Sequence, residues 1–372
     1  MRAYLDNAAT TPIHPAARAA VDKWLDAGNA SSLHEEGRAA KLAIDAAREA
    51  VTERLGCDFG ELLFCSGGTE SSTWAILGAA LANQDPAKAQ ILVSATEHHC
   101  VLNCEKALIR LGYQLDRLPV DRTGAVQPSA LEECIGPRSL LVSVMHANNE
   151  LGTINDLPPL VEICRRRGAL IHSDGAQAFG KIPARVRDLG VDLYSISGHK
   201  VGGPKGVGGL YIRAGVKIAP LIAGGGQERE MRGGTENVAA IAGFAAAVEQ
   251  THDWPAVARL RARLRAGVLS LGAVPTVSEE VAQLPGHLHV RFPGVSAESL
   301  LIQLDRRGVS AGSGAACSSG SIEPSHVMIA CGFDDRAARE GIRLTVGWKT
   351  SNEEIELALA QIREAVTSIQ GK

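Results

Sequence analysis

Short apolar runs rich in β-branched residues alternate along the chain with longer stretches of Ala, Leu and Arg at helical spacing. The short runs fall at 61–65, 90–94, 114–119, 139–146, 169–173, 193–197 and 209–212. Between them, 70–82, 102–111 and 157–167 are long enough to cross back over a sheet as helices. This order predicts an α/β fold with a seven-stranded, mainly parallel sheet flanked by helices. After position 250 the texture changes. A long Arg-rich helix is expected at 254–271, shorter elements at 287–292 and 300–307, and an amphipathic final helix at 352–369. The expected division is a large domain over 13–250 and a smaller α+β domain made of 251–372 together with 1–12. No internal repeat, low-complexity tract or long Gly/Ser tether separates them, so they are expected to pack rigidly.

Composition narrows the function classes. The 372 residues are 45% hydrophobic and 21% charged, enough for a large core and unlike a disordered chain. Lys plus Arg is 38 against 41 for Asp plus Glu, a net charge of -3, which argues against direct nucleic-acid or anionic-membrane binding. A small neutral or zwitterionic ligand fits better. The longest uncharged apolar candidate, 238–248, is far short of the roughly 18–20 residues that cross a bilayer. The start Met1-Arg2-Ala3-Tyr4-Leu5-Asp6 lacks the pattern of a secretory leader, and a cytoplasmic location is expected. Eight cysteines scattered over a long chain then read as thiols, not as a disulfide framework.

In an open parallel sheet, ligands bind beyond the carboxyl ends of the strands. The run 61–65 leads into Ser66-Gly67-Gly68-Thr69-Glu70 and then a helix, a turn that suits a phosphate or simply a Thr-capped helix start. The fifth run leads into Asp174-Gly175-Ala176-Gln177, and the sixth ends in Ser197-Gly198-His199-Lys200. Asp174 and Lys200 are 26 residues apart, about one βαβ unit, so neighbouring strand ends can bring them to one pocket. Alone, the pair could be a buried salt bridge. With the Gly-Gly-Thr turn, it meets the three needs of pyridoxal phosphate: a Schiff-base lysine, a carboxylate for the pyridinium nitrogen, and an anion cradle. Glu97-His98-His99-Cys100, with Cys104 beyond, lacks the second ligand pair of a zinc centre, and no metal is expected. His98 suits a ring-stacking and proton-carrying role, or a helix cap. Asn148-Asn149-Glu150 adds amides to the same edge, for substrate or for a turn.

Cys317 lies in a run of small and polar residues, 310–321, that reads as a mobile loop, where a thiol serves chemistry better than packing. Arg343, inside a strand-like run, suits bidentate capture of a carboxylate, or a structural ion pair.

These segments, with Tyr4-Leu5-Asp6-Asn7-Ala8-Ala9-Thr10-Thr11-Pro12, Gly28-Asn29-Ala30-Ser31-Ser32, Arg232-Gly233-Gly234-Thr235 and Glu323-Pro324-Ser325-His326, make the chain resemble the cysteine desulfurases of the NifS/IscS type, fold-type I pyridoxal-phosphate enzymes of the class V aminotransferase group. The similarity runs nearly end to end. It implies that Lys200 carries the cofactor, Asp174 meets the pyridine nitrogen, Gln177 the phenolic oxygen, and His98 the ring face. Gly68, Thr69, Ser197 and His199 would hold the phosphate. Thr235 would reach the phosphate of a neighbouring subunit, implying a homodimer with shared sites. Arg343, Asn149 and Asn29 would bind the carboxylate of L-cysteine. Cys317 would take the sulfur as a persulfide, release L-alanine, and pass the sulfur to an acceptor such as an iron-sulfur scaffold protein. The rival expectations are a selenocysteine lyase or another class V pyridoxal-phosphate enzyme, such as an aminotransferase using the same lysine, and, from a different class, a non-catalytic sulfur or metal scaffold. Two departures stand out: the segment before Cys317 is about two residues longer than usual in such enzymes, and Gly175 replaces the usual alanine after the ring aspartate.

Overall fold

Seven strands pair in the order Leu62–Cys65, Gly208–Ile212, Leu193–Ser197, Leu170–Asp174, Ser139–Ser143, Gln90–Ser94, Gln114–Leu118. Gly208–Ile212 runs antiparallel to both its neighbours, and the remaining pairings are parallel. The computed structural model describes residues 2–250, 252–314 and 323–371. Every residue of Leu62–Cys65, Ser139–Ser143 and Leu193–Ser197 is buried, as strands covered on both faces must be. Successive side chains serve opposite faces: Leu62, Phe64 and Leu92 join one apolar cluster, Leu63, Ile91 and Val93 the other. The first face is covered by Glu35–Leu55, Leu157–Arg167 and Val238–Val248, the second by Gly68–Ala82 and Glu105–Arg110.

A separate apolar cluster is built from Trp254–Ser270, Ala297–Arg306 and Asn352–Gln370 against the antiparallel strands His287–Arg291 and Gly341–Thr345. Ala3 and Leu5 join this cluster, because Ala3–Tyr4 pairs in parallel with Val309–Ser310. Among the described residues no helix is long and apolar enough to cross a membrane.

Among the departures from expectation, three have a local reason. The helix expected at 102–111 is two helices, His99–Leu102 and Glu105–Arg110, with Cys104 Sγ donating to the Cys100 carbonyl at 3.2 Å across the break. The strand expected to reach position 146 stops at Ser143, although the His146 N–H still bonds the Asp174 carbonyl at 2.9 Å. Helix Gly68–Ala82 begins two residues early, with Gly67 as its cap at φ 148°, so Thr69 lies inside the first turn and does not cap it.

Candidate active site

The carboxyl ends of five strands, Leu62–Cys65, Gln90–Ser94, Ser139–Ser143, Leu170–Asp174 and Leu193–Ser197, open onto one cavity of about 370 Å³. Gly68, Thr69, His98, Asn149, Asp174, Gln177, Ser197, His199, Lys200 and Arg343 all line it. Ten of the thirteen residues expected from the sequence are thus brought together. Asp174 ends its strand in register with Ser195 on the next, and that strand runs on through the 3-10 turn Gly198–Lys200, which delivers the lysine beside the carboxylate.

Lys200 Nζ donates to the carbonyl oxygens of Ala8 at 2.6 Å and Ala9 at 2.9 Å. Burial pushes its pKa down to about 8, helped by Arg343 and opposed by Asp174 and Asp6. Asp174 Oδ1 accepts the Ala176 N–H at 2.9 Å. Burial raises the Asp174 pKa, while the Ala176 N–H, His98 and Lys200 act against it. His98 Nδ1 accepts the Cys100 N–H at 3.2 Å, so the ring both caps a helix and lines the cavity. Burial lowers its pKa, favouring the neutral ring. Partial burial, with the neighbouring Lys200, holds the half-buried His199 down to about 4.

Arg343 is held on two sides. Nη1 donates to the Asn149 carbonyl at 2.8 Å and Nη2 to Asp6 Oδ1 at 2.8 Å, while Nε is buried without a partner. Each terminal nitrogen keeps a second hydrogen for a substrate carboxylate. Below it lies Glu150, whose fully buried carboxyl is pushed up to about 7 by desolvation, with Ser325 and Arg343 pulling down.

Two expected residues stand elsewhere. Thr235 lies in a separate depression with Ser66, Arg232 and Gly234. Asn29 sits in a turn, its Oδ1 accepting the Ser31 N–H at 2.9 Å. The loop carrying Thr235 is tied down by a buried bidentate pair, Arg48 to Glu228, at 2.9 and 2.7 Å. Cys317 lies outside the described residues. Burial drives the thiols of Cys57, Cys65, Cys164 and Cys331 up to about 12 and that of Cys104 to about 11, and raises Cys100, which lines the cavity, as well.

Sequence reasoning assigned no role to Asp6, to the Ala8 and Ala9 carbonyls, to Lys181 or to His326, which lines the cavity and bonds the Glu97 carbonyl at 3.0 Å. Asp6, Ala8 and Ala9 belong to one quoted segment and His326 to another, but their reach to residues far away in the chain has no local signal. The Gly175 departure has a steric cause, since a Cβ there would lie 2.0 Å from Tyr194 Cζ.

The residues fit pyridoxal phosphate. Helix Gly68–Ala82 opens on the cavity with no side chain capping its first-turn N–H groups, beside Ser197 and His199, a cradle for a phosphate dianion. Asp174, 7% exposed and accepting one backbone N–H, forms no ion pair among the described residues and suits a pyridinium. Lys200 lines the same cavity and supplies the amine.

The family Aminotransferase class-V matches residues 3–358. The chain is similar to "Cysteine desulfurase IscS" of Methanosarcina thermophila, 40% identical over 99% of this chain and 92% of that protein. It is similar to "Cysteine desulfurase" of Cereibacter sphaeroides, 41% identical over 99% of this chain and 97% of that one. A solved structure titled "NifS-like protein" superposes with a TM-score of 0.92 at 35% identity, covering 99% of this chain and all of that one.

Proposed function

The chain belongs to the class-V aminotransferase family, and from that footing we propose that it is a pyridoxal-phosphate-dependent cysteine desulfurase whose chemistry is carried by Lys200, Asp174, His98, Arg343 and Cys317. The observation that carries this reading is the convergence of Lys200, Asp174 and Arg343 on one cavity beside an uncapped helix N-terminus.

Lys200 would bind the cofactor covalently, Asp174 its ring nitrogen, Gln177 its phenolic oxygen, His98 its ring face, and Gly68, Thr69, Ser197 and His199 its phosphate. When bound, the group supplies an electrophilic carbon for the substrate amine and a ring that accepts the electrons left at Cα. Arg343, with Asn149, clamps the substrate carboxylate and so orients the amino acid. Lys200, once free, takes the Cα proton; a pKa of about 8 leaves both of its states populated near neutral pH. The Cys317 thiolate attacks the substrate sulfur. An S–S bond forms, the C–S bond breaks with its electron pair left on the carbon side, and protonation there completes L-alanine, leaving a persulfide on Cys317.

The placement of Thr235 and Asn29 away from the cavity of their own chain supports a homodimer in which each reaches the other subunit's site. The nearby exposed apolar side chains Leu33 and Leu42 support the same assembly. The separate apolar cluster that joins Ala3 and Leu5 to the C-terminal elements supports the division into 13–250 and 1–12 with 251–372. The persulfide would pass to sulfur-acceptor proteins such as an iron-sulfur scaffold, in the cytoplasm.

The test is incubation of the cofactor-loaded protein with L-cysteine, followed by amino-acid analysis and peptide mass measurement. Alanine release and one added sulfur on Cys317 are expected. Cys317→Ala should stay yellow yet form no persulfide, and Lys200→Ala should lose turnover. Full desulfurase activity in Cys317→Ala would overturn the mechanism.

A further inference from the structure

Lys181 is a buried cation to which the chemistry above gives no task. Its side chain is 8% exposed, and Nζ donates to Gln177 Oε1 at 2.8 Å. Among the described residues no carboxylate pairs with it. The titratable groups that face it are Lys200 and His199 from the turn Gly198–Lys200, Arg343 from Gly341–Thr345, and His287 from His287–Arg291, so cationic or neutral groups surround it. Burial, then Lys200 and Arg343, lowers its pKa to about 7. Such an ammonium is stabilised only by an anion close by.

The hydrogen bonds say where that anion belongs. An ammonium has donors only, so the atom of Gln177 that meets Lys181 must be the carbonyl oxygen. Gln177 Nε2 therefore points the other way, and it donates one hydrogen to the Ala8 carbonyl at 2.9 Å, the same oxygen that accepts from Lys200. Its second hydrogen is left for the cavity that Gln177 lines.

We propose that Lys181 is a positioning residue: it orients and polarises the Gln177 amide so that a hydrogen-bond donor, backed by a positive charge, faces the phenolic oxygen of bound pyridoxal phosphate and holds that oxygen as the anion. This rests on the reading of the cavity as a pyridoxal-phosphate site. A cation acting there favours loss of the proton from the lysine-cofactor linkage. Removing it must move that titration to higher pH.

The experiment is a spectrophotometric pH titration of the visible band of the loaded protein, without substrate. Lys181→Met is expected to raise the midpoint by about one pH unit, and Lys181→Arg, which keeps a cationic donor, to restore it. In a Gln177→Leu background the further shift on adding Lys181→Met should fall to less than half. Lys181→Gln, neutral but still a donor, should shift the midpoint less than Lys181→Met and serves if the latter does not accumulate folded. An unmoved midpoint in folded Lys181→Met or Lys181→Gln overturns the proposal. So does a shift of equal size with and without Gln177. A wild-type chain that takes up no pyridoxal phosphate and shows no visible band would instead overturn the reading of the site itself.

Discussion

A Cβ built on Gly175 would lie 2.0 Å from Cζ of Tyr194, so the residue after Asp174 and the phenol on the neighbouring strand form one packing unit. Tyr194 is fully buried, and its hydroxyl is 2.7 Å from His146 Nδ1. Gly175→Ala is expected to destabilise the protein by about 1–3 kcal/mol, the usual cost of overpacking. Tyr194→Phe should not relieve the clash, because the ring carbon meets the new methyl group as closely as the hydroxyl does. Tyr194→Leu should relieve it, and the double variant should be more stable than the sum of the single changes predicts. Denaturant unfolding of the four proteins measures the coupling, and additivity would refute it.

Arg343 and Asp6 are 337 positions apart, yet Asp6 Oδ1 holds Arg343 Nη2 at 2.8 Å. Asp6 is the more exposed partner, and the pair leaves the guanidinium plane fixed for a second carboxylate. Asp6→Ala is expected to raise KM for L-cysteine about threefold to tenfold, the loss of roughly 1 kcal/mol of orientation through a charge-assisted hydrogen bond. kcat should change less. Steady-state kinetics separate the two, and an unchanged KM would remove Asp6 from the substrate-binding apparatus.

Only the unprotonated Lys200 amine can attack an aldehyde, and its pKa stands at about 8 instead of 10.5. The rate at which cofactor-free protein takes up pyridoxal phosphate should therefore climb about tenfold per pH unit below that point and level off above it. Stopped-flow growth of the visible band between pH 6.5 and 9.5 tests this. A rate still climbing as steeply near pH 9.5 would mean an unshifted lysine.

The strands were legible because a strand buried on both faces writes itself as a short unbroken apolar run, as at Leu193–Ser197. The site was legible for the complementary reason: Asp174 and Lys200 interrupt or follow such runs where burial is expected, so their polarity needs an explanation. What stayed hidden depends on contacts far apart in the chain. The Ala8 and Ala9 carbonyls act through backbone atoms that carry no residue-type signal. The Asp6 contact to Arg343 exists because Ala3–Tyr4 pairs with Val309–Ser310. The break at Cys104 turns on one thiol-to-carbonyl contact inside a stretch whose apolar spacing is otherwise helical.

Glu97 is fully buried next to the cavity, with Oε1 accepting from Ser143 at 3.2 Å and Oε2 lacking a partner. Burial first, then Asp174, raises its pKa from 4.5 to about 8, against the pull of the Ser143 hydroxyl. Between those two values the folded state keeps a proton that the unfolded chain has lost. Folding stability contributed at this site is therefore intact below about pH 4.5, drains away as pH rises toward 8, and changes no further above it. Glu97→Gln mimics the protonated form at every pH. In cofactor-free protein it should match the wild type near pH 4.5 and exceed it increasingly up to about pH 8, read from urea unfolding at fixed ionic strength. A difference that does not vary with pH over that window would mean that Glu97 folds in its ionised form.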